Sequence, residues 1–312
     1  MGTTGTTTVI DAARRALGPV GVTLPVSFTA PLSIDLQREA VHRLERAGYH
    51  AAWTNEVIGG KDALVQLAVL LAATERMVFG TGIANIWARQ PQTMHGAAAV
   101  LAQAHPGRFV IGLGVGYPQQ AADVGQEFGS PLATMRDYLD RMDAPTQPPA
   151  PAVPYPRIIA ANGPKMLALA GEIADGALPA VRPPEFTAHA RQVLGPDKLL
   201  VIGLSVVPDT DRDRARAIAR ERVSAGLDQP SYAAGLARLG YSDQDIAEVS
   251  DRLVDALIGH GDPSAIAAKV REHLAAGADH VTLLPQVGTD FSVGVDQLEW
   301  LAPALVGVDS SG

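Results

Sequence analysis

The chain has 312 residues, 47% hydrophobic and 19% charged, the composition of a globular protein with ample material for a core. A formal net charge of −8 argues against a nucleic-acid or anionic-membrane partner. The lack of cysteine removes disulfides, thiolate nucleophiles, iron–sulfur clusters and Cys-based zinc sites, and the histidines show no close ligand spacing, so no metal is expected.

The first stretch, MGTTGTTTVIDAARRALG, has no charged region followed by an apolar one and so does not read as a signal peptide. Rich in Thr and Gly, it reads as a disordered leader over 1–18, ahead of a single domain over 19–312. No apolar run reaches the roughly 18 residues of a membrane span, and a cytoplasmic location is expected.

Short β-like runs then alternate with helical patterns, the order of a parallel α/β fold. VGVTL (20–24) opens the series, and the next helix carries Leu36, Ala40, Val41, Leu44 and Ala47 on one face. AAWTNEV precedes the helix ALVQLAVLLAAT, MVFGTGIANIW precedes a helix TMHGAAAVLAQA, and RFVIGLGV precedes PLATMRDYLDRM. A Pro-rich connection, 143–156, follows; neither a helix nor a central strand accommodates it. RIIAAN, GALPA and LLVIGLSVV are the fifth to seventh runs, 209–257 reads as a charged helical insertion, and VTLLPQV is the eighth. Eight runs at this length predict an α/β architecture, a (β/α)8 TIM barrel with insertions. A two-lobed doubly wound sheet is the rival, but no linker divides the chain.

Within RFVIGLGVGYP (108–118), Gly112, Gly114 and Gly116 alternate along a strand. A dinucleotide fingerprint needs G-x-G-x-x-G at a strand-to-helix turn, whereas here Tyr117 and Pro118 follow, on the fourth run rather than the first. At the C-terminal end of a barrel strand, bare backbone gives a flat ligand room; glycines there also relieve crowding inside the barrel. Three other strand ends join it: TGIAN, WTNE and ANGPKM. In the last, Pro164 suits a first helical turn, and free N–H groups beside Lys165 favour a phosphate.

Four blocks in order, ERMVFGTGIANIWARQP, HPGRFVIGLGVGYP, GPKMLALAGEIADG and HGDPSAIAAKVREHLAAGADHVTLLP, resemble the bacterial luciferase-like monooxygenase superfamily, in its coenzyme F420 branch. The resemblance covers nearly the whole chain, from Val20 to Leu305. It implies a barrel with the ring of F420, or alternatively FMN, at the strand C-termini, and a non-prolyl cis peptide at Gly82–Ile83 forming a bulge behind it. Thr81, Gly82, Ile83, Asn85, Gly114, Val115, Gly116 and Tyr117 would line the ring. Asn162, Gly163, Pro164, Lys165 and Met166 would hold the ribityl phosphate end.

Asn55 and Glu56 match the family's polar positions on the second strand and, with Tyr117, are the candidate catalytic residues that the resemblance implies. Many relatives carry an acidic residue or histidine after the fourth-strand glycines; this chain has Tyr117, a phenol suited to hydrogen bonding more than to proton transfer. Glu56 therefore becomes the candidate acid or base, with a surface salt bridge as the plainer role. Arg89 is a candidate for the cofactor's acidic tail, with an exposed surface position as the equal alternative. Trp53 and Trp87 pack either on the ring or in the core, and His95 and His105 read as structural. The implied activity is hydride transfer between the deazaflavin C5 and a small organic substrate. An FMN-dependent monooxygenase and a non-catalytic F420-binding barrel are the alternatives, and relatives of this kind often form homodimers.

Overall fold

Among the residues described by the computed structural model, 3–26, 31–286 and 288–307, eight parallel strands close into a barrel. They are β1 (Val20–Thr23), β2 (Ala51–Thr54), β3 (Val78–Thr81) with its continuation β4 (Ala84–Asn85), β5 (Phe109–Gly114), β6 (Arg157–Ile159), β7 (Gly176–Ala177), β8 (Leu199–Pro208) and β10 (His280–Leu284). An outer strand, β9 (Ile258–Gly261), pairs with the far half of β8. Neighbours in the ring pair in parallel, and β10 closes it by bonding both β8 and β1, which leaves no free edge in the barrel. The expected TIM barrel is present; Val287, the last residue of the eighth expected run, lies outside the described residues.

The helices are α1 (Thr3–Leu17), α2 (Ile34–Arg46), α3 (Ala63–Ala73), α4 (Pro91–Ala104), α5 (Pro118–Ala122), α6 (Pro131–Met142), α7 (Pro164–Ile173), α8 (Pro184–Leu194), α9 (Arg212–Leu227), α10 (Pro230–Arg238), α11 (Asp243–Ala247), α12 (Asp251–Leu257), α13 (Pro263–Ala275) and α14 (Phe291–Leu305). Alternate strand residues divide the apolar groups. Val22, Phe79, Ile111 and Leu283 pack outward with the helices, while Ala51, Trp53, Val78, Val110, Ile158 and Val201 fill the barrel. No helix among the described residues is long and apolar enough to cross a membrane.

One sequence expectation changes here. The leader is not disordered from residue 3 onward: α1 buries Ile10, Ala13 and Leu17 in the same cluster as the barrel interior, sealing its N-terminal end. Arg14 fastens it, donating to Asp279 Oδ1 (3.0 Å) and to the Lys198 carbonyl (2.8 Å). The i, i+3, i+7 spacing of those apolar residues outweighs the Thr and Gly content. The region 209–257 is helical, as α9 to α12, and has its own core of Ala219, Val223, Leu236, Leu253 and Leu257 against Val207 of β8. Segment 143–156 forms no helix or strand.

Candidate functional site

The C-terminal rim of the barrel is shaped by a break between β3 and β5. Gly80 pairs with Val110, and pairing resumes at Ala84 with Leu113, so one extra residue sits on the β3–β4 side, a β-bulge. Thr81 bridges the gap: its Oγ1 donates to the Gly112 carbonyl (2.7 Å) and accepts from Gly112 N (2.8 Å). Gly82 N donates to the Thr54 carbonyl (2.7 Å), Glu56 N donates to the Ile83 carbonyl (3.0 Å), and the Gly82–Ile83 peptide is cis.

This bulge accounts for the alternating glycines. A Cβ on Gly112 would stand 2.2 Å from the Thr81 carbonyl oxygen, and one on Gly114 would stand 2.7 Å from the Ile83 side chain. In the side-chain direction the space at both is taken by protein, so relief of crowding is one role these glycines fill. Below them Trp53 fills the barrel and donates through Nε1 to His280 Nε2 (3.0 Å). His280 Nδ1 must then donate to the Gly18 carbonyl (2.7 Å), so this imidazole is neutral, and burial pulls its pKa down to about 4. Trp53 is a core residue. Trp87 donates to the Val115 carbonyl (2.7 Å), and His95 bonds Tyr155 (2.6 Å).

Glu56 is sealed from solvent, its side chain 2% exposed. Its Oε1 accepts from Ala63 N (3.0 Å) and Arg89 Nη2 (2.7 Å), its Oε2 from Asn85 N (2.8 Å) and Arg89 Nη1 (3.0 Å). A carboxylate with four donors is a brace: it ties the β2 end to α3 and to β4. Arg89 also pairs with Asp62, and although burial alone would lower it, the two carboxylates hold its pKa above the usual range. Arg89 is thereby committed inside the protein, which corrects its expected role at an acidic tail.

Other rim groups lack partners. Asn55 Oδ1, at the β2 end, and Ser205 Oγ, in β8, are buried without a hydrogen bond. Such atoms are costly unless something satisfies them, so they fit a polar ligand in the mouth. Beside them Thr23 and Thr282 share a hydroxyl–hydroxyl bond of 2.9 Å. Tyr117 is 68% exposed, and its phenol makes no hydrogen bond among the described residues. At the β6 end, Asn162 Oδ1 accepts from Ala180 N (2.9 Å). Gly163 caps α7 without any side-chain bond, and nothing lies within 4 Å of where its Cβ would be. Lys165 is exposed and Met166 half-buried on that first turn. The open end of a ten-residue helix beside a lysine suits a phosphate.

Three residues escaped sequence reasoning: Arg182, after β7, and Arg222 and Arg238, on the insertion. None makes an ion pair or hydrogen bond with a described residue. Arg182 is 6% exposed, its Nε is buried without an acceptor, and its guanidinium stacks 4.5 Å from the Tyr232 ring.

Fold and rim together are those of a TIM barrel, the class of enzyme that builds its sites at the strand C-termini. Residues 19–280 match the family model described as luciferase-like monooxygenase, and the chain belongs to that family of oxidoreductases. A Mycobacterium tuberculosis protein provisionally named a coenzyme F420-dependent oxidoreductase is 33% identical over 173 residues, which are 45% of this chain and 50% of that protein. The match therefore spans half of that relative's length. The 5,10-methylenetetrahydromethanopterin reductase of Archaeoglobus fulgidus is 24% identical over 297 residues, 79% of this chain and 88% of the enzyme. In fold, the chain is similar to an F420-dependent secondary alcohol dehydrogenase solved with an F420–acetone adduct, with a TM-score of 0.71, 16% identity, and coverage of 92% and 98% of the two chains.

Proposed function

We propose that this chain is an F420-dependent oxidoreductase that moves a hydride between the deazaflavin C5 and a small organic substrate. The observation that carries this reading is the unpartnered, buried Asn55 Oδ1 beside a braced bulge, in a family whose similar members include F420 enzymes. When bound, F420 supplies the hydride-exchanging carbon, and the protein supplies position and shielding. Asn55 and Ser205 would meet the polar ring edge; Gly82, Ile83 and the backbone from Gly114 to Gly116 would lie along the ring. Thr81 and Asn85 keep the bulge in shape, and Glu56 is a positioning residue that acts through Asn85 and Arg89. Gly163, Pro164, Lys165 and Met166 offer the α7 N-terminus to the phosphate. With Glu56 committed, the accompanying proton passes through water entering beside the exposed Tyr117.

Fluorescence titration of the purified chain with F420 and with FMN tests this. F420 should bind at least tenfold more tightly, and Asn55→Ala should weaken it about tenfold, or roughly 1.4 kcal/mol. A preference for FMN, or F420 binding untouched by Asn55→Ala, would overturn the assignment.

A further inference from the structure

Where the insertion meets the barrel, arginines lie close together that make no ion pair with a described residue. Arg182 is buried against the rings of Tyr232 (4.5 Å) and Phe186 (5.7 Å), with its Nε lacking an acceptor. A Cβ built on Gly235 of α10 would lie 3.4 Å from Arg182 Nη1 and 3.8 Å from Arg238 Nη2, so two guanidinium groups converge on one point with bare backbone between them. Arg222 of α9 is half-buried, and burial lowers its pKa. Burial lowers the pKa of Arg182, and the charge of Arg238 adds to the effect.

The chain is built to hold Arg182 there. Val181 has φ of +52°, a strained setting for a β-branched residue, and its carbonyl accepts from Tyr232 Oη (2.9 Å). Elsewhere at the rim the same protein pairs its buried cation fully: Arg89 has both Glu56 and Asp62. Like charges packed together without counter-ions are costly unless an anion joins them, and the planar guanidinium fork suits an oxyanion.

We infer that Arg182 and Arg238 form an oxyanion-binding site at the junction of barrel and insertion, taking a phosphate or carboxylate of a ligand. The segment leading to Arg182 passes the loop before α7, where Ala180 N donates to Asn162 Oδ1, so the site is offered a second anionic group of whatever α7 holds, or an anionic group of the substrate. The source arm of this inference rests on the proposed function; the site itself does not.

The test measures citrate and inorganic phosphate binding by calorimetry at constant ionic strength, on the full chain and on the variants Arg238→Met and Arg182→Met. Arg238 is exposed, so its variant keeps the fold testable. At least one of the two probes should bind the native chain, and each variant should lose it at least tenfold. Equal binding by native chain and variants, or none by the native chain, overturns the site. Two deazaflavins then identify the source: one without phosphate or glutamates, and F420 with its oligoglutamate tail. If the tailed form binds more tightly and the variants erase that advantage, the anion is the cofactor's; if the advantage survives while citrate or phosphate binding is lost, it is the substrate's. Should neither deazaflavin bind, the proposed function fails, while the probe titration still decides the site.

Discussion

The two sides of the barrel mouth are built on opposite principles. Between β2 and β5 the buried groups are answered, Asn55 Oδ1 excepted: Glu56 meets four donors, Thr81 satisfies both backbone groups of Gly112, and the room beside each strand glycine is filled by protein. Between β7 and the insertion, buried polar groups face nothing, with Arg182 Nε and Ser205 Oγ unpartnered. A satisfied network fixes shape; an unsatisfied one leaves binding energy for a ligand. Substitutions on the two sides should therefore differ in what they damage.

The largest effect belongs to the braced side. Glu56→Ala strands Arg89 and two backbone donors, and should cost about 3–5 kcal/mol in urea unfolding. Gly112→Ala forces a methyl group against a backbone oxygen and should cost about 3 kcal/mol, since the Thr81 carbonyl has no room to retreat. Thr81→Val leaves the Gly112 amide and carbonyl unanswered, for a loss of about 1–3 kcal/mol. A wild-type midpoint in any of these would dissolve the distinction. On the open side, Arg182→Met should leave stability unchanged or raise it by about 1 kcal/mol in anion-free buffer, because an unpaired buried charge is removed. Tyr117→Phe should change neither stability nor turnover by more than about twofold, as an exposed hydroxyl without a partner contributes little.

Acid should expose a different weakness. Burial lowers the pKa of His280 to about 4 and of His273 to about 3, against about 6.5 unfolded. Between these limits the unfolded chain holds more protons, so stability rises with pH and falls as acid is added from pH 6.5 towards 4. Each histidine contributes at most about 1.4 kcal/mol per pH unit. Unfolding midpoints flat across that window would contradict the neutral His280 that accepts from Trp53.

Much of the fold was legible because apolar period and spacing are local properties. The bulge was reached through family resemblance alone, since nothing in VFGTGIAN by itself distinguishes a bulged strand end from a plain one. Glu56 was seen but misjudged: its partner Arg89 is 33 positions away, and only folding shows that both oxygens are taken. Composition hid α1, whose Ile10–Ala13–Leu17 stripe was the better guide. Arg182, Arg222 and Arg238 went unnoticed because an arginine's lack of a partner is a three-dimensional fact. The adjacency of Arg182 to the end of GALPA was the one available hint.

A crystal structure of the chain soaked with F420 tests the central claim most directly, that unanswered buried groups mark where the ligand binds. The ring should lie along Gly82 and Ile83, with Asn55 Oδ1 and Ser205 Oγ newly hydrogen-bonded. Cofactor density away from this mouth, with both atoms still bare, would contradict it.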